Sequence, residues 1–313
     1  MLRYTLKRLL ATIPVMALVA LFVFSLLYIS PGDPAAVIAG DIATAEDIAR
    51  IRAELGLDQP YLVRFGGWLM DLARGDLGTS IFTKLPVATL IGQRIEPTLA
   101  LTVCTLIVAV GLAVPLGVLA AARAGGWVDR FVMALAVLGF SVPVFVIAYG
   151  LIFLFAVWLE WLPVQGYRSL SEGFVPFIRH MILPSLALGV VYMALIARIT
   201  RAAMLDVLAQ DYVRTAHAKG LAPGTVLVRH ALKNAAVPIV TIIGIGVALL
   251  IGGVVVTETV FAIPGLGRLT VDAILRRDYP IIQGVTLLFS AVYVIVNLLV
   301  DLSYTLFDPR IRY

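Results

Sequence analysis

Six long apolar stretches, none of which contains a charged residue, dominate this sequence. They cover residues 9–29, 97–122, 131–159, 181–197, 235–257 and 279–300. Each reaches or approaches the ~20 apolar residues that an α-helix needs to cross a bilayer. Because 61% of all residues are hydrophobic and only 14% are charged, the chain lies outside the range of soluble domains, whose apolar share is ~45–50%. The sequence therefore predicts an all-α polytopic membrane protein with six transmembrane helices.

The first apolar stretch follows a basic start, which is also how a secretory signal begins. At 21 residues it is longer than the ~7–15-residue apolar core of a signal peptide, and SPGDP follows it where a small-residue cleavage site is expected. We therefore interpret residues 1–29 as a cytoplasmic N-terminus and a retained first transmembrane helix. The PGDP sequence at residues 31–34 is interpreted as a helix stop, with a contact to solute as the alternative.

Lys and Arg are unevenly distributed over the segments between the apolar stretches. If the N-terminus is cytoplasmic, 13 of the 24 Lys and Arg residues lie in cytoplasmic segments and 5 lie in the two short outer loops. The remaining 6 lie in the long segment 30–96, and long segments translocate largely regardless of charge. The distribution predicts that both termini are cytoplasmic, with basic residues beside anionic lipid. No basic patch is interleaved with aromatic residues, so we expect no nucleic-acid partner.

Residues 30–96 are predicted to form an extracytoplasmic helical lobe between the first and second transmembrane helices. The first lobe helix is expected to have Thr44 as its N-cap, paired with Asp47, and Gly56 as its stop. A second amphipathic helix is expected to end at Gly75. Its apolar stripe is predicted to consist of Leu62, Phe65, Leu69 and Leu72. Residues 97–313 then form a core of five transmembrane helices.

The motifs of energy-coupling and catalytic chemistry are missing from the sequence. A phosphate-binding G-x-x-x-x-G-K-[ST] loop does not occur, and neither does H-E-x-x-H or G-x-S-x-G. Ionisable residues, which persist in transmembrane helices for ion coupling, are absent from the six stretches. Cys104 is the single cysteine, which excludes a disulfide framework and a zinc pattern. We expect no catalytic residue, no metal site and no cofactor in this chain, so energy for transport is expected from another subunit.

The basic segment 198–234 is predicted to form a cytoplasmic helical hairpin. One helix is expected to continue from the fourth span through Tyr212, to break at Gly220 and to restart near Pro223. The hairpin is expected to present small side chains beside basic ones, a shape that suits a cleft in another protein. These side chains are Thr215, Ala216 and Ala218, with Arg214 and Lys219. The plainer alternative is a positively charged loop that only anchors the topology.

Four segments of the chain, in order, resemble the permease subunits of ABC importers for dipeptides, oligopeptides, nickel and related solutes. They read IPVMALVALFVFSLLYISPGDP, YVRTAHAKGL…VLVRHALKNAAVP, ETVFAIPGLGRLTVDAILRRDYPIIQG and LFDPRIRY. The second resembles the cytoplasmic loop with which these permeases contact their ATPases. Ala216 and Gly220 match the general pattern of that loop, whereas Arg214 and Thr215 stand where it has Glu and Ala.

This resemblance implies a MetI-like permease fold in a bacterial inner membrane. It implies a second homologous permease as partner in a heterodimer, two cytoplasmic ATPases that bind ATP and Mg²⁺, and an extracytoplasmic solute-binding protein. The solute is expected to be a small peptide or a related compound such as nickel, glutathione or an opine. The resemblance assigns ATPase coupling to Arg214, Thr215, Ala216, Lys219, Gly220, Leu221 and His230. The alternative function is a membrane scaffold or channel subunit without ATP coupling.

Two histidines and one loop allow a second interpretation. His217 and His230 are thirteen residues apart and face the cytoplasm, so we interpret them as interface or solvated residues rather than as metal ligands. The IPGLG sequence at residues 263–267 fits a turn associated with a gate as well as it fits a plain loop.

Polar residues follow a single stripe along the sixth predicted transmembrane helix. Their spacings of 3, 4, 3 and 4 residues place them on one helical face, which must contact protein or water. The stripe consists of Gln283, Thr286, Ser290, Tyr293 and Asn297. It either packs against a neighbouring helix or lines the translocation path. Because the fifth stretch offers its own packing groove of small residues at Gly244, Ala248 and Gly252, the stripe is a candidate for the path.

Overall fold

A computed structural model describes residues 2–29, 33–39, 43–54 and 56–307, and this part of the chain is helical. Within it, turns and one isolated β-bridge between Thr79 and Pro86 connect the helices. Residues 308–313, which contain most of the LFDPRIRY segment, lie outside the described residues, as do Pro31 and Gly32 of the PGDP sequence.

Four helices are long and apolar enough to cross a membrane, and the number rises to six if each of two bent helix pairs is one span. The four are α1 (Leu2–Ile29), α5 (Val87–Ala122), α8 (Phe174–Leu208) and α13 (Tyr279–Phe307). In the first bent pair, α6 (Trp127–Ser141) meets α7 (Val144–Leu151), which continues as a π-helical turn (Ile152–Trp158). In the second, α10 (Pro223–Thr225), continued by a π-helical turn (Val226–Leu232), meets α11 (Ala236–Val260).

The third apolar stretch, predicted as one continuous span, is broken in its middle. The two halves meet at an angle of 104°. Val142 has the extended dihedrals φ −90° and ψ 126°, as expected for a residue that precedes proline, and Pro143 has no N–H to donate to the preceding turn. The second bent pair meets at 63°.

Helices α5 and α8 form the centre of the fold because small residues let their backbones approach closely. A Cβ built on Gly117 of α5 would lie 2.7 Å from the carbonyl oxygen of Ala197 in α8, and one on Gly189 of α8 would lie 3.1 Å from Val108. Close approach of this kind is typical of helix packing in membranes. Residues of α11, among them Leu250, complete the buried core.

Three short helices lie between α1 and α5, namely α2 (Pro34–Ala39), α3 (Ala45–Glu54) and α4 (Tyr61–Ala73). The predicted cap of α3 is confirmed, since the Asp47 N–H donates to Thr44 Oγ1 at 3.2 Å and the Thr44 N–H donates to Asp47 Oδ2 at 3.2 Å. The predicted stops are also confirmed, because Gly56 has φ +62° and Gly75 has φ +84°. Glycine adopts such values most readily because it has no Cβ.

The predicted apolar stripe of α4 is wrong at two of its four positions. Leu62 and Leu69 are exposed, while Phe65 and Leu72 are partly buried. Instead, aromatic side chains of α4 surround Phe24 of α1, with ring centroids 5.3–5.4 Å apart. These are Tyr61, Phe65 and Trp68. Aromatic contacts with α1, rather than aliphatic periodicity, thus set the orientation of α4.

Candidate coupling and translocation sites

The segment between α8 and α11 is a helical hairpin, as predicted, but its first helix is broken earlier than expected. Helix α8 ends at Leu208, and Gln210 has the extended dihedrals φ −77° and ψ 148°. A separate helix, α9 (Asp211–Ala218), follows. The prediction of one helix through Tyr212 is therefore wrong. Its physical reason is local, since Asp211 in the first turn of α9 favours a new helix N-terminus.

The predicted break at Gly220 and restart at Pro223 are both confirmed. Gly220 has φ +77°, a conformation that suits glycine. Pro223 occupies the first turn of α10, where its missing N–H has no helical acceptor to lose. The Leu221 N–H donates to the Ala216 carbonyl oxygen at 3.3 Å, which closes the turn.

The side chain of Ala216 faces the inside of the hairpin and not its surface. It is 7% exposed and packs with Val213, Val226 and Leu208. The expectation that Ala216 is presented on the surface is therefore corrected, because it lies on the apolar face of α9. Most of the other predicted coupling residues are exposed, and His230 is partly buried. The exposed ones are Arg214, Thr215, Lys219, Gly220 and Leu221.

An ion pair that the sequence analysis missed connects the base of the hairpin to the start of α6. Arg201 of α8 donates from Nη2 to Asp129 Oδ2 at 2.7 Å and from Nε to Asp129 Oδ1. The Gly125 N–H donates to the same Oδ2 at 2.9 Å. Asp129 is 4% exposed. The only sequence signal was an acidic residue in the otherwise basic segment 123–130, and nothing in the sequence indicated its partner.

A second missed residue, Glu258, organises the IPGLG segment. Its carboxylate is fully buried at the end of α11 and accepts hydrogen bonds from Thr98 Oγ1 and, at 2.9 Å, from the Arg268 N–H. Thr98 Oγ1 in turn accepts from the Leu266 N–H at 2.8 Å. A Cβ on Gly265 would overlap the carboxylate. The segment 263–267 is therefore a turn folded around a buried carboxylate, which leads into α12 (Leu266–Arg276).

The loop before α8 contacts the same region. The Gly166 N–H donates to the Phe261 carbonyl oxygen at 2.8 Å, and the Tyr167 hydroxyl donates to Glu96 Oε1 at 3.0 Å. Burial, followed by the hydrogen bond to Glu96, raises the pKa of Tyr167 above its ordinary value. Tyr167 therefore stays a neutral donor. These bonds join α5, α11 and the loop at one end of the bundle.

The five residues of the predicted polar stripe lie on α13, and their side chains differ in solvent exposure. Gln283 is buried, Tyr293 is exposed and the residues Thr286, Ser290 and Asn297 are partly buried. Ser290 Oγ donates to the Thr286 carbonyl oxygen at 2.9 Å, and Asn297 Nδ2 donates to the Tyr293 carbonyl oxygen at 3.0 Å. Because these two groups bond to their own helix, they do not depend on a neighbouring helix for a partner.

The groove of small residues on α11 is filled at one end. A Cβ on Gly244 would overlap Val300 of α13, whereas a Cβ on Gly252 would meet no described atom within 4 Å. Helix α13 thus packs closely on α11 at Gly244, and the surface at Gly252 is open in the isolated chain. In the part of the chain that the structure describes, no three His, Cys, Asp or Glu side chains are grouped as metal ligands.

Comparison with known proteins places the chain in a family. The family described as "Binding-protein-dependent transport system inner membrane component" matches residues 113–313. A second family, described as the N-terminal part of such a membrane component, matches residues 1–102. The chain is 58% identical, over 99% of both chains, to the probable peptide ABC transporter permease protein y4tP of Sinorhizobium fredii. It is 45% identical, over 98% of both chains, to a putative peptide transport system permease protein of Brucella abortus.

A further relative is the glutathione transport system permease protein GsiC of Salmonella typhimurium, which is 45% identical over the whole of both chains. The resemblance inferred from the four sequence segments is confirmed by these matches. Together with the apolar helices, they show that the chain belongs to the family of binding-protein-dependent transport system inner membrane components and is an ABC importer permease of the bacterial inner membrane.

Proposed function

We propose that this chain is one of two homologous permease subunits of an ATP-driven importer for short peptides. The hairpin between α8 and α11 carries this proposal. It has a buried base at Val213, Ala216 and Val226, an exposed turn at Gly220, and only short connections to α8 and α11 on its two sides. A loop that only anchored topology by its charge would not need such a packed base.

The names of the relatives support a peptide as solute. Two of them are called peptide permeases and one a glutathione permease, and glutathione is itself a tripeptide. Nickel and opine-like solutes, which the sequence left open, have no counterpart in these names. The partner permease is a different but homologous chain, and the solute is delivered by an extracytoplasmic binding protein.

The proposed topology has six transmembrane helices and both termini in the cytoplasm. Each bent helix pair then counts as one span, and residues 30–96 form the extracytoplasmic lobe. The hairpin lies on the cytoplasmic side, which the distribution of Lys and Arg supports. The turn around Glu258 lies at the opposite, outer end of the bundle.

ATP and Mg²⁺ are bound by two partner ATPases, and this chain transmits their movement. The exposed residues Arg214, Thr215, Lys219, Gly220 and Leu221 contact a cleft of one ATPase, while Ala216 supports the turn from inside. When the ATPases close on ATP, the hairpin moves as a unit because its base is packed. The movement reaches α8 and α11 directly, and it reaches α6 through Arg201 and Asp129. The path is thus gated because the hairpin contacts the ATPases differently in their open and closed states.

The docking role is tested with substitutions of two glycines in the hairpin. Gly220→Trp adds bulk at the exposed turn and is expected to abolish solute-stimulated ATP hydrolysis by the purified complex, with the chain still in the membrane. Gly220→Asn keeps the positive φ, which Asn tolerates, and is expected to retain most of the stimulation. Gly224→Trp is the matched control and is expected to keep the stimulation. Gly224 is also exposed, and a Cβ there meets no described atom within 4 Å.

Normal stimulation in Gly220→Trp would remove the docking role. The alternative function, a scaffold or channel without ATP coupling, makes a separate prediction. In that case an affinity-tagged chain would be purified from its native membrane without an ATPase.

A further inference from the structure

A cavity of about 370 Å³ lies between α1, α4, the segment 77–81 and the first turns of α13. This volume is within the ~300–1,000 Å³ range of small-molecule sites. The floor of the cavity is buried, and its rim is formed by exposed residues of α4 and the turn before it. The floor contains Phe24, Leu27, Tyr279 and Gln283, and the rim contains Gln59, Val63, Gly67 and Asp71.

Two polar side chains on the floor have no hydrogen-bond partner within residues 2–29, 33–39, 43–54 and 56–307. Tyr279 is 6% exposed and Gln283 is 8% exposed, and both line the cavity. They are four residues apart on α13, so they occupy the same helical face. Neither the Tyr279 hydroxyl nor the Gln283 amide is among the described polar atoms that are buried without a partner, so both reach the open cavity. Both groups are therefore placed to bond a polar ligand there.

These two groups differ from the unpartnered buried hydroxyls of the described residues. The hydroxyls of Thr105, Ser185 and Thr200 are sealed within the protein, where no ligand reaches them. Tyr279 and Gln283 instead face an open cavity with a polar rim. Because the rim belongs to α4 and its preceding turn, and not to a lipid-facing span, a solute would enter from water.

The charges and rings around the cavity indicate the chemistry of the ligand. Asp71 supplies an exposed carboxylate on the rim. Its Oδ1 lies 3.8 Å from Nη1 of the neighbouring Arg74. Arg64 supplies a fixed positive charge in the wall, where it donates to the Tyr28 hydroxyl and lies 5.7 Å from the centre of the Phe24 ring. Arg64 and Asp71 are seven residues apart, which is about 10 Å along a helix and close to the length of three extended residues.

We infer that this cavity binds a short peptide through its N-terminal ammonium and its amide groups. The ammonium lies at Asp71, the peptide amides bond to Gln283 and Tyr279, and an apolar side chain packs on Phe24 and Trp68. The choice of a peptide rests on the proposed function. Gln283 is also the first residue of the polar stripe on α13, so the cavity stands at the outer end of the proposed translocation path.

The test uses the full-length chain in phosphatidylcholine nanodiscs, without ATPases or binding protein. Replacing Trp127, Trp158 and Trp161, all exposed, by Phe leaves Trp68 in the cavity wall as the fluorescent reporter. Titration with leucyl-leucine is expected to change the Trp68 emission in a saturable way. N-acetyl-leucyl-leucine, which lacks the ammonium, is expected to bind about tenfold more weakly, because a hydrogen bond to a charged group is lost.

Two substitutions and one control test the assigned contacts. Asp71→Asn is expected to weaken leucyl-leucine about tenfold while leaving the acetylated peptide unaffected, and Gln283→Leu is expected to weaken both peptides. Gln93→Leu, at an exposed position of α5, is expected to leave both titrations unchanged. A flat Trp68 signal, equal binding of the two peptides, or an unchanged affinity in Gln283→Leu would each overturn the inference.

A phosphatidylethanolamine headgroup also carries a primary ammonium, and a second lipid composition separates it from the peptide. If discs that contain this lipid shift the Trp68 emission without peptide and abolish the titration, the cavity is a lipid site and the inference is overturned. An unchanged titration supports the peptide. Since the assay contains no ATPase, its failure leaves ATP coupling through Gly220 intact, and a loss of that coupling leaves the titration intact.

Discussion

Arg201 binds Asp129 through two of its guanidinium nitrogens, with Nη2 at 2.7 Å from Oδ2, although 72 residues separate the two in the sequence. The pair fastens the start of α6 to the end of α8 that precedes the hairpin. The Gly125 N–H completes the coordination of the carboxylate. The bent pair of α6 and α7 is thereby joined to the hairpin by a contact that no helix connection supplies.

Removal of one partner of this pair is expected to destabilise the chain. Arg201→Met leaves the buried Asp129 carboxylate with the Gly125 N–H but without its counter-ion, and removing one partner of a buried ion pair costs about 3 kcal/mol or more. Thermal unfolding in detergent, followed by circular dichroism, measures the loss. Arg198→Met, three residues earlier at an exposed position of α8, is the control and is expected to unfold like the wild type.

A charge exchange distinguishes the ion pair from simple packing. The double variant Asp129→Arg with Arg201→Asp is expected to recover part of the stability that each single variant loses. If Arg201→Met unfolds at the wild-type temperature, or if the double variant is no better than the sum of the singles, the pair does not hold α6 to α8.

Glu258 and Gly265 are expected to show a non-additive effect. Gly265→Ala places a methyl group on the Glu258 carboxylate and is expected to destabilise the turn. Glu258→Ala leaves the Thr98 hydroxyl and the Arg268 N–H without their acceptor, at about 1–3 kcal/mol for each unsatisfied group. In the double variant the new methyl group occupies the space that the carboxylate has left, so its loss of stability is expected to be smaller than the sum.

Melting temperatures of the four proteins measure this coupling. Gly252→Ala is the control, because a Cβ at that position meets no described atom within 4 Å. Strict additivity of the two substitutions would show that the carboxylate does not shape the turn.

The proposed topology is tested by labelling at two exposed threonines. In a Cys104→Ser background, a cysteine in place of Thr44 is expected to react with an impermeant maleimide added outside the cell. A cysteine in place of Thr225, in the hairpin, is expected to react only after the membrane is permeabilised. Because both positions are exposed in the fold, burial does not limit either reaction. The reverse pattern would invert the topology.

The polar stripe on α13 is tested by cysteine accessibility in the assembled transporter. Cysteines in place of Thr286, Ser290 and Tyr293 are expected to react with small hydrophilic thiol reagents at rates that change with nucleotide state. Leu288→Cys and Val292→Cys, on another face of the helix, are expected to stay inert. Equal reactivity around the helix, or none at the stripe in any state, would show that the stripe does not line the path.

Local features of this protein were readable from the sequence because neighbouring residues determine them. The apolar stretches gave the membrane class, since spanning helices depend on length and hydrophobicity alone. The cap formed by Thr44 and Asp47 and the breaks at Gly56 and Gly220 followed from chemistry within a few residues. The permease assignment came from the resemblance of four segments to a known family, which needs the sequence alone.

The remaining features depend on which distant segments pack together, and only the tertiary structure decided them. Pro115 and Pro184 lie inside continuous helices, whereas Pro143 ends one at a 104° bend, so proline by itself did not predict the break.

The same holds for contacts between side chains far apart in the sequence. Thr98 and Glu258 meet across 160 residues, and Ala216 is buried because Val226 packs over it. Gln283 lines a cavity that exists only where α1, α4 and α13 come together. A sequence specifies the pattern of apolar and polar side chains along each helix, but the neighbour that each side chain meets is fixed by close packing of the whole bundle.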